Sequence, residues 1–276
     1  MLFNGISLIA AIALASQAIA APTIEKRATS DPAAFPSLQR AAKLSSAAYT
    51  GCLGSAFDVT ITKQIYNGLT DTQGYIGYSP TQKKISVVMR GSTTATDILN
   101  DVDTTLVTPT LSGVSFPAGV QIMRGVYNPW ASVHDAVIAE VKSLVAKYPD
   151  YTLESAGHSL GGALTYVSYV ALAQNFPGKS ITSNALAAFP IGNAAWASFA
   201  GSQSGTLNRA NNVADGVPSP YNFQHYGIEY YSWGTAITCV ECSGQRDLSC
   251  SAGNGMYGVT AGHFRSFGIT LGAAGC

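Results

Sequence analysis

The chain has 276 residues, of which 47% are hydrophobic and only 11% are charged, and its 15 basic and 15 acidic side chains give a formal charge of zero. This balance, without a basic patch, excludes the surface that nucleic-acid binding requires, so we expect no nucleic-acid partner. The length suits one large domain with a full hydrophobic core.

The N-terminus has the pattern of a secreted protein. Residues 1–24 carry no charged side chain, most of 6–21 is apolar, and Ala18-Ile19-Ala20 fits a cleavage site, so we assign 1–20 as a signal peptide. The dibasic pair in Glu25-Lys26-Arg27 predicts a propeptide over 21–27 and a mature domain over 28–276. A membrane anchor is the alternative for the apolar run, and an unprocessed N-terminus is the alternative for the dibasic site.

The cysteine count also points outside the cell. Five cysteines behind a signal peptide favour disulfide bonds and leave one thiol over. Cys52 lies near the mature N-terminus, Cys276 is the last residue, and Cys239, Cys242 and Cys250 cluster. The sequence alone leaves their pairing open. Zinc is a poor alternative for the cluster, because no histidine lies near it at ligand spacing.

Hydrophobic periodicity predicts alternating helices and strands along the mature chain. The predicted helices cover residues 35–49, 133–147, 164–176 and 194–200. The predicted strands cover residues 59–66, 74–78, 84–89, 151–156, 181–189, 207–214 and 227–233. His134 lies in the first turn of its helix, where we interpret it as structural.

A short amphipathic helix is predicted over Thr94–Asp103, with a T-x-x-D capping pattern at its start. Ala95, Ile98, Leu99 and Val102 fall on one face, and Asp97 and Asp101 on the other. The segment has two interpretations: a mobile lid beside a site, or a surface helix packed permanently on the core. The lid hypothesis involves Thr94, Ala95, Asp97, Ile98, Leu99, Asp101 and Val102.

The pattern with the most chemical content is Gly157-His158-Ser159-Leu160-Gly161, a G-x-S-x-G nucleophile elbow between a predicted strand and a predicted helix. A sharp strand-to-helix turn exposes the serine hydroxyl to a base, and glycines are needed where flanking side chains would collide. Ser159 is therefore the candidate nucleophile. The alternative is a glycine-rich turn around an ordinary serine.

An oxyanion hole needs two donors. The backbone N–H of Leu160 opens the helix after the elbow and provides the first. In enzymes with a nucleophile elbow of this kind, the second oxyanion donor comes from the loop after an earlier strand. Ser92 begins the loop after strand 84–89. A capping serine is the alternative for Ser92.

The elbow also needs a base and an acid, which follow the serine in the order acid, then histidine. The later histidines are His225 and His263, and the later acids are Asp215, Glu229, Glu241 and Asp247. Asp215 ends a predicted strand and precedes a loop, so it is the candidate acid. His263, in the loop before residues 267–269, is favoured as the base over His225.

These motifs together resemble the filamentous-fungal class 3 lipases of the α/β-hydrolase fold, and their close relatives the feruloyl esterases. The similarity covers about residues 30–276. It rests on Arg90-Gly91-Ser92, the elbow, Asp215 before Val217-Pro218, the segment 225–231, and Gly262-His263.

The resemblance implies a single α/β-hydrolase domain, a mostly parallel central sheet flanked by helices. It also implies that Ser159, His263 and Asp215 form the triad and that Ser92 and Leu160 form the oxyanion hole. Disulfides Cys52–Cys276 and Cys242–Cys250 are implied as well. Two departures concern the lid, where Ile98 replaces the usual tryptophan, and Met123-Arg124-Gly125, where a histidine usually precedes the glycine.

The sequence therefore predicts a secreted serine carboxylic ester hydrolase, a triacylglycerol lipase that works as a monomer on acylglycerol at a lipid–water interface. It needs no metal and no cofactor. One alternative is a feruloyl esterase or other soluble-ester carboxylesterase, although Thr104-Thr105 stand where those esterases have a tyrosine. Another is a catalytically dead secreted binding protein, which the complete Ser, Asp and His set argues against.

Overall fold

The computed structural model describes residues 29–93, 102–218, 223–234, 238–273 and 275–276. Its helices and strands are, in order, β1 (Thr29–Ser30), α1 (Phe35–Thr50), β2 (Ser55–Ala56), β3 (Val59–Asn67), β4 (Thr72–Ser79), β5 (Lys84–Met89), β6 (Leu106–Val107), β7 (Ile122–Met123), α2 (Arg124–Ala131), α3 (His134–Lys147), β8 (Thr152–His158), α4 (Leu160–Asn175), β9 (Ile181–Leu186), α5 (Ala194–Gly201), β10 (Thr206–Asn212), β11 (Ile228–Ser232), β12 (Val240–Glu241), β13 (Arg265–Ser266) and β14 (Ile269–Thr270). Single 3-10 turns occur at Ser251–Gly253 and Ala261–Phe264.

One sheet dominates the described part of the chain, with its strands in the order β1-β12-β11-β10-β9-β8-β5-β4-β3-β2. The central strands β5, β8, β9, β10 and β11 are parallel. Antiparallel strands continue the sheet on both sides of these parallel strands. Parallel strands are covered on both faces. Here β8 and β10 also bury polar side chains, among them Glu154, Arg209 and Asn211. The predicted mostly parallel sheet flanked by helices is confirmed.

The two faces of the sheet have different helices. Successive side chains of a strand point to opposite faces. Val88 belongs to the buried cluster formed with α1, whereas Val87 and Met89 belong to the cluster that contains α2, α3, α4 and α5. Helix α4 is buried along most of its length because it lies between the sheet and α2.

Most observed boundaries lie within two residues of the predicted ones, and the larger differences concern α4, β9 and α2. Helix α4 begins at Leu160 instead of residue 164, because the elbow turns directly into it. Strand β9 ends at Leu186 instead of Phe189, since Ala187 has a φ of 50° and leaves the extended conformation. Helix α2 is not among the predicted helices, and it contains Pro129.

Several predictions fall outside the described residues. These are the signal peptide at 1–20, the propeptide at 21–27, and the part of the proposed lid that comprises Thr94, Ala95, Asp97, Ile98, Leu99 and Asp101. Of the remainder of that predicted helix, Val102 and Asp103 are described and are not helical. Within the described ranges, no helix is both long enough and apolar enough to cross a membrane.

The structure contains the two disulfides that the family resemblance implies. Cys52 bonds to Cys276 and ties the end of α1 to the C-terminus, and Cys242 bonds to Cys250 across a short loop. Cys239 has a free, buried thiol, and burial raises its pKa to about 11. A thiol with so high a pKa is almost fully protonated at neutral pH and is a poor nucleophile.

Candidate active site

Ser159 lies at the point where β8 ends and α4 begins. Its backbone has φ 61° and ψ −125°, a conformation that L-residues rarely adopt. Its N–H donates to the Leu186 carbonyl oxygen at 2.9 Å, and its own carbonyl oxygen accepts from Ala163 N–H at 3.0 Å. Neighbouring elements therefore hold the strained turn from both sides, which keeps the serine in one orientation.

The glycines of the motif are required by close backbone contacts. A Cβ at Gly157 would collide with the Gly161 carbonyl oxygen, and a Cβ at Gly161 would collide with the Met89 carbonyl oxygen at the end of β5. The elbow thus packs directly onto the neighbouring strand, as the sequence pattern predicts.

The structure brings Ser159, His263 and Asp215 into one hydrogen-bonded chain. His263 Nε2 lies 3.0 Å from Ser159 Oγ, and His263 Nδ1 lies 3.0 and 3.1 Å from the two Asp215 carboxylate oxygens. The carboxylate accepts, so Nδ1–H is the donor and Nε2 is the free acceptor for the serine proton. All three side chains are at least 99% buried.

The acid is held by the loops on either side of it. The Asp215 carboxylate accepts from Val217 N–H at 3.0 Å, and the Asp215 carbonyl oxygen accepts from Asn254 Nδ2 at 2.7 Å. Thr260 Oγ1 donates to the carbonyl oxygen of Ala214, the residue before Asp215. The loop that contains the Cys242–Cys250 disulfide therefore continues into the segment that fixes the acid.

Two of the competing acids and the competing histidine have other partners. Glu229 is 1% exposed, pairs with Arg209 Nη1 at 3.1 Å, and accepts from Asn211 at 3.0 Å. Asp247 accepts from Ser243 N–H and Ser249 N–H inside the disulfide loop. His225 Nε2 donates to the Pro218 carbonyl oxygen at 2.9 Å.

The protonation of His225 also argues against a role as base. Burial, with Arg209 and then Arg246 nearby, lowers the pKa of His225 to about 3. A histidine with that pKa stays neutral at any physiological pH and is a weak base. Its geometry and its low basicity therefore both favour His263 as the candidate base.

The candidate oxyanion donors lie next to the nucleophile. Leu160 is the first residue of α4, and the first N–H groups of a helix have no intrahelical acceptor. Ser92 follows Gly91, whose ideal Cβ position is 3.2 Å from Ser159 Cβ. The loop after β5 thus approaches the serine closely enough to supply the second donor.

The departure at Met123-Arg124-Gly125 has a local explanation. Arg124 Nε donates to Asp103 Oδ2 at 2.5 Å, and Gly125 N–H donates to the Asp103 carbonyl oxygen at 2.9 Å. Met123 is completely buried. The segment that follows the proposed lid is therefore fixed by an ion pair that involves Arg124.

Sequence patterns assign no role to two residues beside the triad. His158 is 1% exposed, its Nε2 lies 2.8 Å from the His263 carbonyl oxygen, and its Nδ1 lies 3.0 Å from the Tyr49 hydroxyl. His158 belongs to the elbow motif, which is the only local signal for it. Tyr49 belongs to α1, 109 residues earlier, and no sequence spacing indicates that it reaches the elbow.

The described residues contain no group of three or more His, Cys, Asp or Glu side chains that could bind a metal ion. His134 has a structural position: it accepts from Trp130 Nε1 at 3.1 Å, and its Nε2 lies 2.8 Å from the Ser112 carbonyl oxygen. The described site brings together a serine hydroxyl, a histidine and a buried carboxylate, the arrangement that nucleophilic serine chemistry requires.

A mostly parallel sheet with a nucleophile elbow after a central strand defines an α/β-hydrolase. Residues 86–224 match the protein family described as Lipase (class 3), a range that includes Ser159 and Asp215 and ends before His263. The chain is also 65% identical over 281 residues to the secreted alkaline triacylglycerol lipase of Penicillium cyclopium, with 100% of this chain and 99% of that protein covered. The chain belongs to the class 3 lipase family.

Solved structures agree with this assignment. The crystal structure of a triacylglycerol lipase from Penicillium expansum superposes with a TM-score of 0.88 at 66% identity, covering 90% of this chain and 98% of that chain. The lipase from Rhizopus microsporus var. chinensis superposes with a TM-score of 0.80 at 25% identity, covering 91% and 94% of the two chains.

Proposed function

We propose that the protein is a secreted triacylglycerol lipase that works through an acyl-enzyme on Ser159. The observation that carries the proposal is the buried chain from Asp215 through His263 to Ser159 Oγ at the elbow. The substrate class is supported by the 65% identity to a secreted alkaline triacylglycerol lipase over the whole chain.

In the proposed acylation step, Ser159 Oγ attacks the ester carbonyl carbon while His263 Nε2 accepts the hydroxyl proton. Asp215 stabilises the resulting imidazolium and keeps the ring in the tautomer that presents Nε2 to the serine. The imidazolium then donates its proton to the leaving alcohol as the carbon–oxygen bond of the ester breaks.

The negative charge that develops on the carbonyl oxygen is stabilised by the Leu160 N–H and by Ser92 in this proposal. Water then attacks the acyl-enzyme, with His263 acting as base again, and releases the fatty acid. Each proton transfer uses a group already present in the triad, so no step requires a metal or a cofactor.

Opening of the site to substrate is part of the proposal, because Ser159 is completely buried. The proposed lid, residues 94–101 with Val102, is the candidate for that movement. Phe264, which follows the proposed base, is 41% exposed, and its ring centroid lies 5.8 Å from that of His263, so a partly exposed aromatic side chain lies beside the triad.

The proposal is tested by measuring hydrolysis of a short-chain triacylglycerol while its concentration crosses the solubility limit. A rise in rate when droplets form is expected for a lipase whose site opens at an interface. Smooth saturation, with faster turnover of monomeric hydroxycinnamate esters, would instead identify a feruloyl-type esterase.

The role of Ser159 is tested with a matched pair of serine variants. Ser159→Ala should abolish turnover in a folded protein. Ser155→Ala, in the same strand, should retain it, because the Ser155 hydroxyl contacts only Ser183 Oγ among the described hydrogen bonds. Turnover by folded Ser159→Ala would overturn the assignment, as would failure of a serine-directed phosphonate to label the native protein.

The proposal also includes removal of residues 1–20 and 21–27, so that the mature monomer begins at Ala28. The N-terminal residue and the solution mass of the secreted protein test these two expectations directly.

A further inference from the structure

The histidine of the elbow has fixed hydrogen-bond directions. The His263 carbonyl oxygen can only accept, so His158 Nε2, 2.8 Å away, carries the proton. His158 Nδ1 is then an acceptor, and the Tyr49 hydroxyl at 3.0 Å donates to it. The two bonds run in one direction, from Tyr49 through the His158 ring to the backbone of the base.

Tyr49 also contacts the loop that carries Ser92. A Cβ at Gly91 would collide with the Tyr49 hydroxyl, and the backbone amide of Gly91 interacts with the same hydroxyl. Tyr49 lies at the end of α1, so one side chain connects a helix, the loop after β5 and the residue before the nucleophile.

We propose that Tyr49 and His158 are positioning residues that hold the backbone of His263 in register with Ser159 and with the loop that carries Ser92. The inference rests on the proposed function, since it concerns the geometry of that triad. Neither side chain contacts the reacting atoms. Both act through the position of His263.

The chemistry requires that His158 stay neutral. Its ring centroid lies 4.5 Å from that of His263, which becomes positively charged when it accepts the serine proton. A second imidazolium at that distance would oppose this charge. Burial, and then the neighbouring His263, hold the pKa of His158 well below its usual range, so the His158 ring is neutral at neutral pH.

The test measures kcat and KM for p-nitrophenyl butyrate below its solubility limit, so that interfacial effects are absent. His158→Met has a similar length but no donor, whereas His158→Gln places an amide donor near the position of Nε2. Tyr49→Phe removes only the hydroxyl. Thermal unfolding of each variant reports whether the fold is retained.

Misplacement of a catalytic group by about 1 Å costs roughly a hundredfold in rate. We therefore expect His158→Met to lower kcat about a hundredfold with KM changed less than about twofold, and His158→Gln to recover at least about tenfold of that loss. Tyr49→Phe, which leaves the His158–His263 bond in place, should lower kcat about threefold to tenfold.

Native kcat in folded Tyr49→Phe and His158→Met would overturn the proposal. Equal loss in His158→Met and His158→Gln would also overturn it, because packing alone would then explain the effect. If His158→Met does not fold, Tyr49→Phe and His158→Gln decide. Ser159→Ala in the same assay separates the two hypotheses. Turnover by Ser159→Ala refutes the proposed function. If Ser159→Ala is inactive but the Tyr49 and His158 variants keep native kcat, only the positioning role is refuted.

Discussion

The two ends of β8 both bury polar groups, and they do so in opposite ways. At the amino end, Glu154 is in regular strand conformation and its side chain is 7% exposed. It accepts from Arg40 Nη2 at 2.9 Å and from Ser86 Oγ at 2.6 Å, and it lies 3.2 Å from Lys84 Nζ. Opposite charges are paired there, so the cluster fixes α1 against β5 and β8.

At the carboxyl end, the backbone is strained and the groups form directional chains. Ser159 has a φ of 61°, and His158, whose pKa is lowered chiefly by burial, is hydrogen-bonded to Tyr49 and to the backbone of His263. Strain of this kind persists only when surrounding structure determines it. A compensated charge cluster therefore anchors the strand that leads into the strained turn at Ser159.

Helix α1 connects the two ends. Arg40 contacts Glu154 at the amino end and Tyr49 contacts His158 at the carboxyl end. Nine residues of helix rise about 13 Å, and four residues of strand also span about 13 Å. The distance along α1 between Arg40 and Tyr49 therefore matches the distance along β8 between Glu154 and His158. One helix thus contacts both ends of the strand.

The largest effect is expected from breaking the carboxyl end at Asp215. Asp215→Asn keeps the shape of the side chain but cannot hold the His263 tautomer that leaves Nε2 free. We expect kcat to fall about 10³-fold to 10⁴-fold, measured on a soluble ester, with the urea unfolding midpoint nearly unchanged.

Asp247→Asn is the matched control, because Asp247 is another acid that follows Ser159 in the chain. Its carboxylate accepts only from Ser243 and Ser249 among the described hydrogen bonds. It should retain native kcat. A larger loss in Asp247→Asn than in Asp215→Asn would show that the triad acid is wrongly assigned.

The contrast between the two ends explains which features the sequence could predict. The elbow is a local pattern in which glycine, serine and a strand-to-helix turn determine one another, and the order of later acids and histidines limits the partners to a few residues. Tyr49 and Glu154 carry no such local signal, because their contacts join segments 109 and 114 residues apart. Long-range packing of α1 onto β8 creates them, and hydrophobic periodicity predicts the helix without its partners.

An intermediate effect is expected from breaking the amino end. Glu154→Gln would leave Arg40 and Lys84 without their shared buried partner, and removal of one member of a buried ion pair costs about 3 kcal/mol or more. Asp58 still faces Arg40, so we expect a loss near 3 kcal/mol in the urea unfolding free energy, with kcat of the folded protein unchanged.

The exposed pair Lys83–Asp150 precedes the same two strands and provides the control. Its side chains are 66% and 59% exposed, so Asp150→Asn should not move the urea midpoint measurably. A tenfold fall in kcat of folded Glu154→Gln would show that the charge cluster at the amino end of β8 also affects catalysis at the carboxyl end.

The smallest expected effect is on the pH dependence of the unfolding free energy, and it concerns Asp58. Burial alone would raise the pKa of Asp58, but hydrogen bonds from Ser79 Oγ at 2.5 Å and from Arg40 outweigh it and lower the pKa. A carboxyl whose pKa is lower in the folded state stabilises the fold above its unfolded pKa, near 3.9, and loses that contribution as pH falls through the folded value.

Asp58→Asn removes this contribution, so the difference in unfolding free energy between the native protein and the variant should be full at pH 6 and shrink below about pH 4. The difference at pH 6 should be smaller than that of Glu154→Gln, because the Asp58 side chain is 29% exposed and the Glu154 side chain is 7% exposed. Urea unfolding at pH 6, 4 and 3 measures it. A difference that stays constant across that range would show that Asp58 acts through its shape and hydrogen bonds alone, and that its charge does not contribute to anchoring β8.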